Sequence, residues 1–134
     1  MTGNIRTTAS QSLRAALIEA KGSEAVDGAG YAHALADNLV HGLTLGDFQA
    51  DFAAGAGQEL DGKMRAAHSS SALAVNCFGR WASDPSSLTI CGQTGFNRLQ
   101  FEAKCPTGVG RMPPHLDLVL TGPSGILAIE SKCI

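Results

Sequence analysis

An acid, a second acid and a lysine interrupt an otherwise apolar run, LDLVLTGPSGILAIESKC, between Leu116 and Cys133. Side chains in a β-strand alternate faces, so Glu130 and Lys132 share a face with Ile126 and Ala128. Asp117 interrupts Leu116, Leu118 and Leu120 in the preceding segment. Antiparallel pairing across the GPSG turn brings Asp117 near Glu130. Adjacent carboxylates repel one another, and burial raises the cost. A divalent cation offsets it, and hard oxygen ligands suit Mg²⁺ or Mn²⁺. Lys132 adds positive charge or orients a water. The plainer alternative is a charge-neutralising Lys–Asp or Lys–Glu pair at a strand end.

A similar triplet occurs upstream: Asp84, then Glu102 and Lys104 in FEAK. Asp84 lies in SDPSS, whose Asp-Pro step and serines favour a turn. NRLQFEAK alternates apolar and polar residues. Glu102 and Lys104 are therefore expected as surface charges or a cleft wall, not as catalytic groups.

These residues need elements to position them. The first half is expected to be helical over TASQSLRAALIEAKG, with Ser10 or Ser12 as N-cap and Gly22 as stop. YAHALADNLVHG and TLGDFQADFAAG follow as further helical pieces. GQELDGKMRAAHSSSALAVNCFGRWA reads as one kinked helix or two, with Ser69 to Ser71 able to cap a new start. The second half is expected as strands: a short one at SLTICG, a half-buried one at NRLQFEAK, then HLDLVLT and ILAIESKC as a hairpin. Apolar residues begin both faces of the last strand, which predicts a central position covered on both sides. The fold class is α/β of the α+β kind: a helical N-terminal half, then a small mixed sheet.

The 134-residue length suffices for one domain with a sizeable core. The charged fraction of 16% is low, and the net charge of −2 provides no basic field to attract a polyanion. DNA is thus neither announced nor excluded by charge. The start has no apolar stretch of signal-peptide length, and no segment is long enough to span a membrane. A cytoplasmic protein is expected. Cys77, Cys91, Cys105 and Cys133 show no C-x-x-C pair and are expected as buried thiols. His33, His41 and His68 fall in expected helices without metal-ligand spacing, and Phe78 and Trp81 are expected in the core.

Asp117, Glu130 and Lys132, with Glu-x-Lys closing a hydrophobic strand, resemble the PD-(D/E)XK nuclease superfamily, the restriction-endonuclease-like fold. The resemblance covers Gly57 to Ile134, leaving residues 1–56 as a separate N-terminal helical region. It implies metal-dependent hydrolysis of DNA phosphodiesters. Asp117, Glu130 and the Ser131 carbonyl would hold Mg²⁺ or Mn²⁺, and Lys132 would act on the attacking water. Glu59, expected at a helix start, matches the family's helical acid, although a first-turn acid is also favoured there by the helix dipole. His115 is a candidate for phosphate binding, or a plain loop histidine. Arg98 and Arg111 are candidates for positioning the DNA backbone. The family's second helix and fourth strand do not follow Lys132. That implies a partial core of one helix and three or four strands: a truncated reading frame, a fragment of the active enzyme, or a domain completed by another chain or as a homodimer. Two other readings remain: a non-catalytic domain of this fold, and a helical module whose last strands pair with a partner's sheet.

Overall fold

The computed structural model describes residues 5–54, 60 and 62–133. Helix α1 runs Ile5–Lys21, and short 3-10 turns and loops connect it to α2 (Gln49–Ala54) and α3 (Ser70–Phe78). Three strands follow: β1 Arg98–Lys104, β2 His115–Gly122 and β3 Gly125–Ile129. They form one sheet in the order β1-β2-β3, and both pairings are antiparallel. The architecture is α+β. The sheet is antiparallel rather than mixed because a hairpin and a ten-residue loop connect its strands, and neither is a crossover.

The alternation in NRLQFEAK becomes β1: Leu99, Phe101 and Ala103 are buried while Arg98 and Lys104 are exposed. Opposite them, Leu118 and Leu120 of β2 are fully buried. Two helices cover this face. Phe52 of α2 stacks on Phe101 with ring centroids 6.2 Å apart, and Val75 of α3 is fully buried. Asp51 Oδ2 accepts the Phe101 N–H at 3.0 Å, which ties α2 to the open edge of β1. Leu39, Phe48, Met64 and Phe96 join Phe52, Val75, Leu99, Phe101, Leu118 and Leu120 in one core. Phe78 and Trp81 pack against it, as expected.

Several expectations need correction. Helix α1 starts at Ile5, so Ser10 and Ser12 lie inside it, whereas Gly22, at φ +92°, does end it. YAHALADNLVHG is not an α-helix and holds only a 3-10 turn at Leu35–Asn38. Tyr31 and Ala32 form isolated bridges, and Asn38 Nδ2 donates to the carbonyls of Met64 and Ala66. Asn76 in turn bonds the backbone of Asn38 and Val40, so side chains have replaced the helical ladder. SLTICG holds only a bridge between Ile90 and Gln93. Strand β3 is an edge, not a central strand, because no fourth strand pairs with it among the described residues. Its outward face leaves Ile126 72% exposed. The cysteines are not buried: Cys77 and Cys91 are exposed, and Cys105 and Cys133 are partly covered.

Candidate functional site

The hairpin register puts Leu118 opposite Ile129, so Asp117 and Glu130 meet one step beyond, where β3 has just ended. On the other side, the pairs Phe101–Leu118 and Ala103–Leu116 bracket Glu102 and Asp117. Glu102, Asp117 and Glu130 thus form a row across one end of the sheet.

Asp117 holds the turn beyond β3: its Oδ2 accepts the Ser131 N–H at 2.7 Å. Ser131 is buried, and Glu130 and Lys132 on either side of it are exposed. The Glu130 carboxyl is pushed above its ordinary 4.5. Partial desolvation comes first, then a side-chain hydrogen bond with Asp117 and repulsion from the Asp117 charge. Glu102 adds to the rise, and Lys132 opposes it. Glu130 as a residue stays largely exposed, so the neighbouring acid is the cause that distinguishes it from other surface carboxylates. Among the described residues Lys132 forms no direct ion pair with either acid, in contrast to the strand-end pair considered from sequence.

Glu102 is more than a solvated charge. It adopts φ +48°, a left-handed conformation that costs a non-glycine residue about 1–3 kcal/mol and concentrates at functional sites. The kink accompanies two contacts: Ser71 Oγ donates to Oε1 at 3.3 Å, and His115 Nδ1 lies 3.1 Å from Oε2. The side chains of Glu102 and His115 are only 12% and 25% exposed. Lys104 is exposed, and Asp84 is occupied by a turn, accepting from Ser86 Oγ at 2.6 Å. Glu102 therefore lines a cleft without its upstream partner.

That cleft is a cavity of about 470 Å³ between the acid row and the start of α3. Asp117, Glu102, Lys63, His68, Tyr31 and the serines before and within α3 line it, with Ser71 in direct contact with Glu102. Lys63 and Tyr31 carry no recognisable motif, and the loop fold that gathers them depends on contacts between distant segments. His68 lies in a loop, not a helix. Arg98 sits at the opposite end of β1, paired with Thr121, and is not brought to the row. Arg111 is exposed in the loop joining β1 to β2, at the same end as the acids. Glu59 lies outside the described residues.

The donor chemistry suits a small hard cation. Among the described residues no three His, Cys, Asp or Glu side chains converge on one point. Mg²⁺ does not need such a cage, since it is commonly held by one or two carboxylates with waters and substrate phosphates. Asp117 and Glu130 are the two carboxylates that could serve as such a pair.

Residues 6–133 match the family model described as Restriction Endonuclease associating with ARP. The chain belongs to this restriction endonuclease family. No curated protein and no solved structure matches it. The match covers α1 and all three strands, and the core draws on residues from both stretches. It gives the acid row a nuclease-related setting. No helix among the described residues is long and apolar enough to cross a membrane.

Proposed function

We propose that the chain is a metal-dependent DNA endonuclease of the PD-(D/E)XK kind, acting in the cytoplasm. The observation that carries this reading is the hairpin register, which brings Asp117 and Glu130 together at one end of the sheet in a restriction endonuclease family member. Asp117 and Glu130 would hold Mg²⁺ or Mn²⁺ with the Ser131 carbonyl, and Glu59 is a further candidate ligand. The ion would supply charge stabilisation and an acidified water for phosphodiester hydrolysis. Asp117 has a second task, since its bond to the Ser131 N–H fixes the turn carrying Glu130 and Lys132. Lys132, one residue beyond that anchor, would orient the attacking water and offset charge developing on the phosphate. His115 and Arg111, at the same end of the sheet, would contact the DNA backbone. Arg98, at the other end of β1, would contact the backbone only farther along the DNA.

The family description names an associating partner, ARP. The open edge of β3 is a place where a partner strand, or a second copy, could extend the sheet.

The test joins calorimetric Mn²⁺ titration to cleavage of plasmid DNA. Glu130→Gln should lose Mn²⁺ binding and cleavage together, and EDTA should stop the native chain. Lys132→Ala should keep Mn²⁺ binding while cleavage falls by about 10²–10³. Glu102→Gln should fall less, because its oxygens are engaged by Ser71 and His115. Unchanged Mn²⁺ binding in Glu130→Gln would sink the reading.

A further inference from the structure

The cavity lining is of two chemical kinds. Its acids, Asp117 and Glu102, repel phosphate unless a cation intervenes. The remaining groups attract it. Lys63 is exposed there, and among the described residues no carboxylate lies within ion-pairing distance of it. Ser70 adds a hydroxyl. Ser69 Oγ is spent on the Ala72 N–H, and the N–H groups of Ser70 and Ser71 have no acceptor among the described residues.

Tyr31 and His68 complete this lining as an edge-to-face pair, with centroids 6.2 Å apart and planes at 87°. Their placement is built in rather than incidental. Asp27 Oδ1 accepts the N–H groups of Ala29 and Tyr31 at 2.8 and 3.0 Å, and those bonds hold its carboxyl below the usual range. Tyr31 also bridges to Ala66, two residues before His68. A cavity of about 470 Å³ falls within the roughly 300–1,000 Å³ of small-molecule sites. Such a space exceeds the needs of a lone phosphate and suits a whole nucleotide. An aromatic wall accepts any base or sugar, as a sequence-tolerant strand seat requires.

We propose that this cavity seats one nucleotide of the DNA strand next to the phosphodiester that is cut, with Lys63 on its phosphate and Tyr31 and His68 against its sugar or base. The inference rests on the nuclease reading and extends it to the path of the substrate strand. Lys63 is then a substrate-binding residue lining the same cavity as the acids. Phosphate at Lys63 sets the strand's offset from the cutting centre.

The experiment is binding of a fluorescein-labelled DNA duplex to the full chain, followed by anisotropy in EDTA so that no cleavage intervenes. Lys63→Ala should weaken binding roughly tenfold, as loss of a charge-assisted phosphate contact does. The slope of log affinity against log salt should fall by about 1. Lys63→Glu should weaken binding further, and Lys21→Ala, at the end of α1, should match the native chain. Free deoxynucleoside monophosphate should compete poorly. Unchanged affinity and slope in both Lys63 variants would overturn the proposal. So would displacement of the duplex by an equal nucleotide concentration of free monophosphate, which would mark a mononucleotide pocket. The Mn²⁺ titration keeps the two ideas separable. If Glu130→Gln retains Mn²⁺ while Lys63→Ala still weakens DNA, the strand seat survives and the cleavage reading falls.

Discussion

Glu130 carries the most perturbed chemistry of the acid row, and its perturbation has a thermodynamic consequence. Its carboxyl titrates above 4.5 in the folded chain, because partial desolvation and Asp117 disfavour its charge. Between 4.5 and that raised value the native state holds a proton that the unfolded chain has released. Stability from this group is therefore fully present below 4.5 and is lost as pH rises through the raised value. Glu130→Gln removes the titration. The variant should be slightly more stable than the native chain at neutral pH without metal, by no more than about 0.5 kcal/mol for so exposed a residue. The gap should close as the pH falls below 4.5. On the proposed metal-dependent reading, adding Mn²⁺ should invert the order, because the native pair of acids would bind the ion and gain stability from it. Thermal melts from pH 4 to 8, with and without Mn²⁺, read all three effects. A gap that widens on acidification would reverse the assigned sign.

Among the elements, what was legible in the sequence is what depends on near neighbours. The hairpin around GPSG, the inward set Leu99, Phe101 and Ala103, and the cap at Ser69 all follow from local pattern and appear in the fold. Three features escaped because distant contacts decide them. Helical spacing in YAHALADNLVHG yields to bonds from Asn38 and Asn76, which lie 38 residues apart. The apolar faces of the last strand suggested burial on both sides, yet β3 is paired on one side only. Glu102 read as an ordinary outward residue of an alternating strand. Its left-handed backbone and its partners Ser71 and His115 show only once α3 and β2 are in place. The site was thus half legible: the Asp117–Glu130 encounter follows from register, whereas the rest of the cavity lining needs the fold. The cap gives a test at this scale. Ser69 Oγ takes the Ala72 N–H at 3.1 Å at the foot of a helix whose Ala74 and Val75 are core residues. Ser69→Ala should cost about 1 kcal/mol in chemical denaturation. Ser69→Asp should recover most of that loss, because it restores an acceptor and suits the helix dipole. Equal loss in both variants would mean that packing at residue 69, not capping, holds the start of α3.

At the scale of the whole molecule, the question is whether the helical first half and the stranded second half are separable. The core says that they are not. Phe48 and Phe52, from the first stretch, are buried against Phe101, Leu118 and Leu120 from the second, and Asp51 bonds the edge of β1. Neither half can keep its apolar face dry alone: the sheet's inner face is covered by α2 and α3, and α2 is only six residues long. A helix of that length is not stable by itself in water. The chain should therefore unfold in one transition, with far-ultraviolet dichroism and Trp81 fluorescence giving the same midpoint. Phe52→Ala and Leu120→Ala truncate one large core side chain from each stretch. Each should lower stability by about 3–5 and 2–5 kcal/mol respectively. Each should move both signals together, since losing either side of the shared core unfolds the other. The same argument bears on the acid row, because β2 carries both Leu120 and Asp117. Mn²⁺ affinity of Phe52→Ala should hold while the chain is folded and vanish at the same midpoint. Two separated transitions, with the sheet outlasting the helices, would show that the strands hold their own core and that the first stretch is an addition to it.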